Sequence, residues 1–252
     1  MSFQIPRPIA LLLGLLLLVS IGTGLLMLPM SAAKQPLQWN QALFTACSAL
    51  STTGLSIITP SQDLSVFGQL VLLFLMQMGG IGFMAGVVVV LRLLGRQVTF
   101  AERLVLRDSL GVPDVGSIVQ LTAHVLRGVL AIELTGALIL FLLWWPKLGA
   151  GWALYYGIWH SVSAFCNASF DLLSGNPQFP GGFPTDVPTL LTISFLVMLG
   201  SIGIPVLSDI WGWAKSRRRL SIHSKLTLKA AAALLVIGTL ALYADQFLPT
   251  EP

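Results

Sequence analysis

Residues 44–56 read FTACSALSTTGLS, and residues 159–171 read WHSVSAFCNASFD. Laid one on the other, Ser48-Ala49 falls on Ser163-Ala164, Gly54 on Ser169 and Leu55 on Phe170, at a constant offset of 115. Downstream, Gly79-Gly80-Ile81-Gly82 falls on Gly200-Ser201-Ile202-Gly203, at an offset of 121. One unit therefore occurs twice, and the second copy is longer between its loop and the helix that follows. Internal repetition sets the architecture before any single residue does. Each copy reads as an apolar helix, a short amphipathic segment, a loop of small residues and a second apolar helix.

The composition says which solvent these helices meet. The 252 residues are 55% hydrophobic and only 10% charged, with a mean hydropathy of +0.85. A soluble domain carries roughly a quarter charged residues. The chain is therefore read as an all-α polytopic membrane protein with no length left for a separate soluble domain. Its net charge of +4 does not point to nucleic acid, because the positive side chains sit between helices, where they report topology. Cys47 and Cys166 form neither a disulfide framework nor a metal-ligand spacing, and packing is the expected role. Arg7 followed by the apolar run from Ile9 to Met30 has the order of a signal peptide. The run exceeds the roughly 7–15 residues of a secretory apolar region and is read as a retained first helix.

Apolar spans lie near 9–30, 66–94, 117–145, 187–213 and 227–248. Each is long enough for about 30 Å of hydrocarbon at about 1.5 Å per residue. The stretches 39–50 and 153–165 are too short to cross and carry Ser and Thr on one side. A helix that dips in and returns is tolerated only where protein or a water-filled cavity satisfies its backbone. Arg92, Arg96, Arg103 and Arg107 fall in one inter-span region, and Lys215, Arg217, Arg218, Arg219, Lys225 and Lys229 in another. The opposite loops hold only Lys34 and Lys147. The positive-inside rule then makes the N-terminus cytoplasmic, and both short segments enter from outside. The expected setting is the cell inner (plasma) membrane, crossed several times. The expected organisation is a first repeat over 1–98, a second over 99–214, and over 215–252 a basic cytoplasmic loop with the first helix of a third, incomplete repeat. Residues 171–188, rich in Gly and Pro, read as an outer loop, and 99–116 as a cytoplasmic helix and turn.

The residues between short segment and second helix carry the chemistry. Thr52-Thr53-Gly54-Leu55 has the composition of a K+-channel filter in miniature. Such a filter replaces an ion's hydration shell with backbone carbonyls. Aiming successive carbonyls one way requires unusual dihedrals, which Gly supplies without a Cβ clash. The repeat puts Asn167, Ala168, Ser169 and Phe170 at the matching positions. The fold expected is thus tandem parallel helix–pore helix–filter–helix repeats, with a dehydrated cation as the bound ion and no covalently bound cofactor. Gly79 and Gly82, with Gly200 and Gly203, suit close helix packing and mark hinge candidates. Glu133 lies mid-span, where an ionisable residue is either functional or a hydrogen-bonded packing contact. His160 is read as a packing or capping residue at the start of its short helix. Asp171 reads either as a carboxylate at an outer mouth or as a solvated loop acid. The Lys215-to-Arg219 run suits anionic lipid head groups as well as topology. No GxSxG elbow, Walker loop or HExxH is present, and an enzyme is not expected.

SALSTTGL (48–55), GGIGFM (79–84), VTFAERLVLRDSLG (98–111), SAFCNASFD (163–171) and LSIHSKL (220–226) together resemble the Trk/Ktr/HKT superfamily of cation transporters, in particular the N-terminal half of a bacterial membrane subunit. The resemblance implies four fused helix–pore–helix units around one pore, uptake of K+ or Na+, and control by a cytosolic nucleotide-binding ring subunit. Family filters carry Gly at the position of Ser169, so one filter corner is expected to be distorted or lined by a hydroxyl. Two repeats supply two of four pore walls. The chain is then a piece of a longer frame, or a homo-oligomer whose copies complete the filter. The alternative is a non-conducting truncated scaffold or regulatory partner of a full-length transporter.

Overall fold

The computed structural model describes residues 7–82, 118–176, 179–216 and 219–245. The expected helix and turn over 99–116, and the arginines at 92, 96, 103 and 107, lie outside them. The described residues form helices α1 (Arg7–Met27), α2 (Trp39–Leu50), α3 (Pro60–Asp63), α4 (Val66–Gly80), α5 (Ile118–Phe165), α6 (Val187–Ile202), α7 (Ile204–Ser216) and α8 (Ile222–Asp245). Among them there is no strand, only one isolated bridge between Ala32 and Leu64.

The chain divides into two compact units, Met1–Ser201 and Ile202–Pro252. In the first, α1 crosses α2 and α4 where small residues let it. A Cβ on Gly22 would lie 2.8 Å from Leu75 Cδ1 and 3.5 Å from Ala46 Cβ. Helix α2 has 12 residues, which is about 18 Å at the helical rise and short of a bilayer. Its N-terminus is tied by the Gln41 side chain, which accepts from the Gln38 amide at 3.0 Å. Ala42, Thr45, Ala46, Ala49 and Leu50 make its buried face, at helical spacing. The links before and after α2 zip together: Ala33 N–H donates to Asp63 O and Ser65 N–H to Ser31 O, each at 2.9 Å. Ser65 also caps α4 by accepting from Gly68 N–H at 3.3 Å.

Helix α5 is two antiparallel limbs. Gly149 breaks it at φ 72°, ψ 163°, three residues after Pro146. Proline lacks the N–H that would tie the preceding turn, and glycine takes the positive φ without a Cβ clash. Residues 150–165 then run back along the later part of the first limb. A Cβ on Gly157 would sit 2.9 Å from Ala137 O, and Ser161 Oγ donates to Glu133 O at 2.6 Å. Trp144, Leu148, Ala153, Leu173 and Phe179 close the hairpin end as one buried cluster. The sequence reading ended the span at 145 and began the short segment at 153; both limbs reach closer to the break because one glycine turns the chain.

In the second unit, Asp209 of α7 ties the start of α8. Its Oδ2 accepts from Ser224 Oγ at 2.6 Å and from Ser221 N–H at 3.2 Å. By length and composition, two segments are apolar enough to cross a membrane: Leu126–Phe165, which the break at Gly149 folds back on itself, and Ile222–Ala244. The second of these windows is 0% buried within the chain, so its apolar side chains face what surrounds the protein.

Candidate functional site

The loops after the two short helices have the same backbone. Thr52 takes φ 51° and Asn167 takes φ 56°; Gly54 takes φ 79° and Ser169 takes φ 55°. These pairs are related by the offset of 115. Their hydrogen bonds repeat as well. Thr52 N–H donates to Ala49 O at 3.2 Å and Asn167 N–H to Ala164 O at 3.0 Å. Thr53 N–H donates to Ser48 O at 3.0 Å and Ala168 N–H to Ser163 O at 2.8 Å. Thr52, Asn167 and Ser169 are the only positive-φ residues other than glycine among those described. Three costly conformations thus fall in two matched loops, and strain of this kind gathers at functional sites. Ser169 keeps the left-handed backbone despite its Cβ, so the expected departure at this corner is a hydroxyl rather than a changed main chain.

The loops lie side by side. A Cβ on Gly54 would meet Ser169 Cβ at 2.6 Å and Ala168 O at 3.0 Å. Each loop rests on the glycine of the following helix in the same way. A Cβ on Gly79 would strike Leu50 O, and one on Gly200 would strike Phe165 O. Gly82 and Gly203 then end those helices with φ 87° each. Gly79 and Gly200 are therefore close-packing positions, and Gly82 and Gly203 are backbone-turning ones. The remaining pair differs: Gly80 lies against the Cys166 side chain, while its counterpart Ser201 donates from Oγ to Asn167 Oδ1 at 3.0 Å.

Glu133 is 4% exposed. Gln77 Nε2 lies 3.0 and 3.2 Å from its two carboxylate oxygens, and Cys166 Sγ lies 4.0 Å from Oε1. The acid thus sits behind the second loop and joins α4 of the first repeat to α5. The hydrogen bond that the packing reading expects is thus present.

Asp171 follows the second loop directly and is not free at a mouth. Its Oδ1 lies 3.0 Å from His160 Nε2 and accepts from Leu173 N–H at 2.7 Å; its Oδ2 accepts from Ser174 N–H at 2.8 Å. Burial pushes its carboxyl up, but the donors from His160, Ser174 and Leu173 outweigh it and hold the pKa at about 2. His160 is 3% exposed, donates from Nδ1 to Tyr156 O at 2.7 Å, and packs edge-on to Trp144 at 5.3 Å. The pairing of His160 with Asp171 escaped the sequence reading. A signal existed: Thr45 and Ser56, the residues aligned with them, both change character where their neighbours match.

The profile of the TrkH family, described as a cation transport protein, matches residues 15–248. Ktr system potassium uptake protein B of Bacillus subtilis is 38% identical over 242 residues, covering 95% of this chain and 53% of that protein. Its namesake from Vibrio alginolyticus is 34% identical over 236 residues, covering 93% and 50%. Potassium/sodium uptake protein NtpJ of Enterococcus hirae is 30% identical over 226 residues, covering 89% and 49%. The chain spans about half the length of these relatives. With the profile matched along nearly its whole length, the chain belongs to the TrkH family of cation transport proteins.

Proposed function

We propose that this chain supplies two walls of a selectivity filter for uptake of a monovalent cation, K+ or Na+, across the cell membrane. The observation that carries the reading is the shared backbone of residues 52–54 and 167–169, held at the ends of two short helices and in contact at Gly54 and Ser169. Alternating left-handed residues aim carbonyl oxygens toward one side, as a dehydrated cation requires. In the second loop the Phe170 carbonyl accepts from Ser163 Oγ at 2.8 Å. Coordination there is assigned to Asn167, Ala168 and Ser169, with the Ser169 hydroxyl as a further oxygen, and Phe170 closes the loop. In the first loop Thr52, Thr53, Gly54 and Leu55 take that part, because Ser48 Oγ, the counterpart of Ser163 Oγ, has no partner among the described residues and leaves the Leu55 carbonyl untied by it. The hairpin at Gly149 supports a second short helix that enters and leaves on one side, with the N-terminus cytoplasmic. The printed names of the relatives, potassium and potassium/sodium uptake proteins, support the ion class. On the family resemblance carried by the sequence motifs we assign a cytosolic nucleotide-binding ring subunit as partner and no enzymatic reaction, and on the two of four pore walls supplied we assign a homo-oligomeric assembly.

The test is uptake of radioactive rubidium by liposomes holding the full native protein, with sodium and potassium as competitors. Uptake blocked by potassium before sodium supports the filter. Uptake no greater than that of protein-free liposomes sinks it and leaves a silent scaffold.

A further inference from the structure

The two loops share a backbone but not the side chains behind it. In the second repeat, His160 on the 150–165 limb reaches across the loop to Asp171 at 3.0 Å. Asp171 holds the outgoing chain through the amides of Leu173 and Ser174, and Ser163 Oγ grips the Phe170 carbonyl. The loop is thus tied to its helix at both ends. In the first repeat the aligned residues are Thr45, Ser56 and Ser48. Ser56 Oγ accepts from Ile58 N–H at 3.3 Å, which repeats the forward contact of Asp171. It makes no link back to the helix: Thr45 Oγ1 and Ser48 Oγ are buried with no hydrogen-bond partner among the described residues. The charged leash that spans the second loop is absent from the first, where neutral hydroxyls alone tie Thr53 Oγ1 to Ser51 Oγ at 2.6 Å and Ser51 Oγ to Cys47 O at 2.7 Å.

We propose that His160 and Asp171 are positioning residues that clasp the second loop, making it the stiff wall of the filter against a more compliant first wall. The proposal rests on the filter reading above. A hydrogen bond with a charged partner is shorter and stronger than a neutral one. It is worth most in a site shielded from water, and His160 is buried among Trp144, Tyr156 and Phe183. Holding carbonyls at one spacing favours one ion radius, so a loosened wall admits sodium more readily. Neither residue touches the ion.

Two measurements decide it, both on the full native protein. The first is the sodium-to-rubidium uptake ratio in liposomes for wild type, His160→Phe, Asp171→Asn and the double variant. His160→Phe keeps an aromatic ring in the cage and removes both nitrogens. Each single variant should raise the ratio about tenfold, the scale of one charge-assisted hydrogen bond, and the double variant should raise it no further. Thr45→Val, which removes an unpartnered hydroxyl, should leave the ratio unchanged. Unchanged ratios in the single variants, or effects that multiply in the double, overturn the clasp. The second measurement is amide hydrogen exchange, which needs no flux. Leu173 should exchange about tenfold more slowly than Ile58 and lose that difference in His160→Phe. Equal exchange in wild type, or a difference that survives in the variant, overturns it. Wild-type liposomes that pass neither ion defeat the filter reading alone, and exchange then decides whether the clasp exists.

Discussion

Gln77 and Glu133 meet across the two repeats, with the Gln77 amide nitrogen 3.0 and 3.2 Å from the two carboxylate oxygens of Glu133. The contact lies directly behind Cys166, whose sulfur is 4.0 Å from the same carboxylate. Because the acid is buried, removing its partner strands it. Gln77→Leu should destabilise the protein by about 1–3 kcal/mol, the cost of a buried polar group left unpaired. Glu133→Gln keeps the shape and a hydrogen bond, and should cost less. Thermal unfolding in detergent measures both; a Gln77→Leu variant as stable as wild type would show that the bond contributes nothing.

Gly79 and Gly200 should tolerate no side chain, whereas the open helical Gly24 should. A Cβ at either would press on the main-chain carbonyl that ends the preceding short helix, Leu50 O or Phe165 O. Backbone cannot step aside as a flexible side chain does, so Gly79→Ala and Gly200→Ala should each cost about 1–3 kcal/mol. Gly24 has nothing within 4 Å of an added Cβ, and Gly24→Ala should be neutral or gain up to about 1 kcal/mol from helix propensity. Unfolding midpoints of the three variants test the contrast, and equal midpoints for Gly24→Ala and Gly79→Ala would refute it.

Gly54 and Ser169 should be energetically coupled. Gly54→Ala meets two penalties, a positive φ of 79° and the Ser169 Cβ at 2.6 Å. Ser169→Gly removes the second and relieves a left-handed serine, which costs about 1–2 kcal/mol. Gly54→Ala should therefore harm stability less in the Ser169→Gly background, by about 0.5–3 kcal/mol of coupling. Gly54→Ser should also weaken discrimination of potassium over sodium in liposome uptake. Additive effects in the double variant would mean that the loops do not touch as described.

How much of this was readable follows from where each feature is encoded. The repeat was legible, because aligned small residues demand the same turn twice, and the positive φ values at Thr52 and Asn167 keep that register. The short helix over 39–50 was legible too, and α2 has those bounds. The turn at Gly149 was only bracketed, since PKLGAGW (146–152) reads equally as a loop or as two helix ends. The bonds of Gln77 with Glu133 and of His160 with Asp171 were not legible. Each joins side chains that meet only after helices pack, and no local periodicity carries that information. Asp171 alone, beside a loop in the sequence, looked like a solvent-facing acid. Its partners turned it inward.

Acid should expose that difference in a defined pH window. Asp171, in the loop after the second short helix, has its folded pKa held at about 2, below the roughly 3.9 of an unfolded aspartate. A depressed folded pKa means that the unfolded chain takes up the proton first as pH falls. The stability contributed by Asp171 is then complete above about pH 4 and lost as pH drops through about 2. Asp171→Asn cannot titrate, so its deficit against wild type should be constant above about pH 4 and shrink toward pH 2. Asp186, also drawn down by donors from Thr189 against the effect of its burial, titrates in the same sense. Asp186→Asn is therefore the control: it should lose less, being far more exposed and facing no histidine. Unfolding midpoints in detergent between pH 6 and 2 read this directly, with about 1 kcal/mol resolved as a shift of a few degrees. A deficit in Asp171→Asn that does not change with pH would mean that the carboxylate charge contributes nothing to holding the second loop.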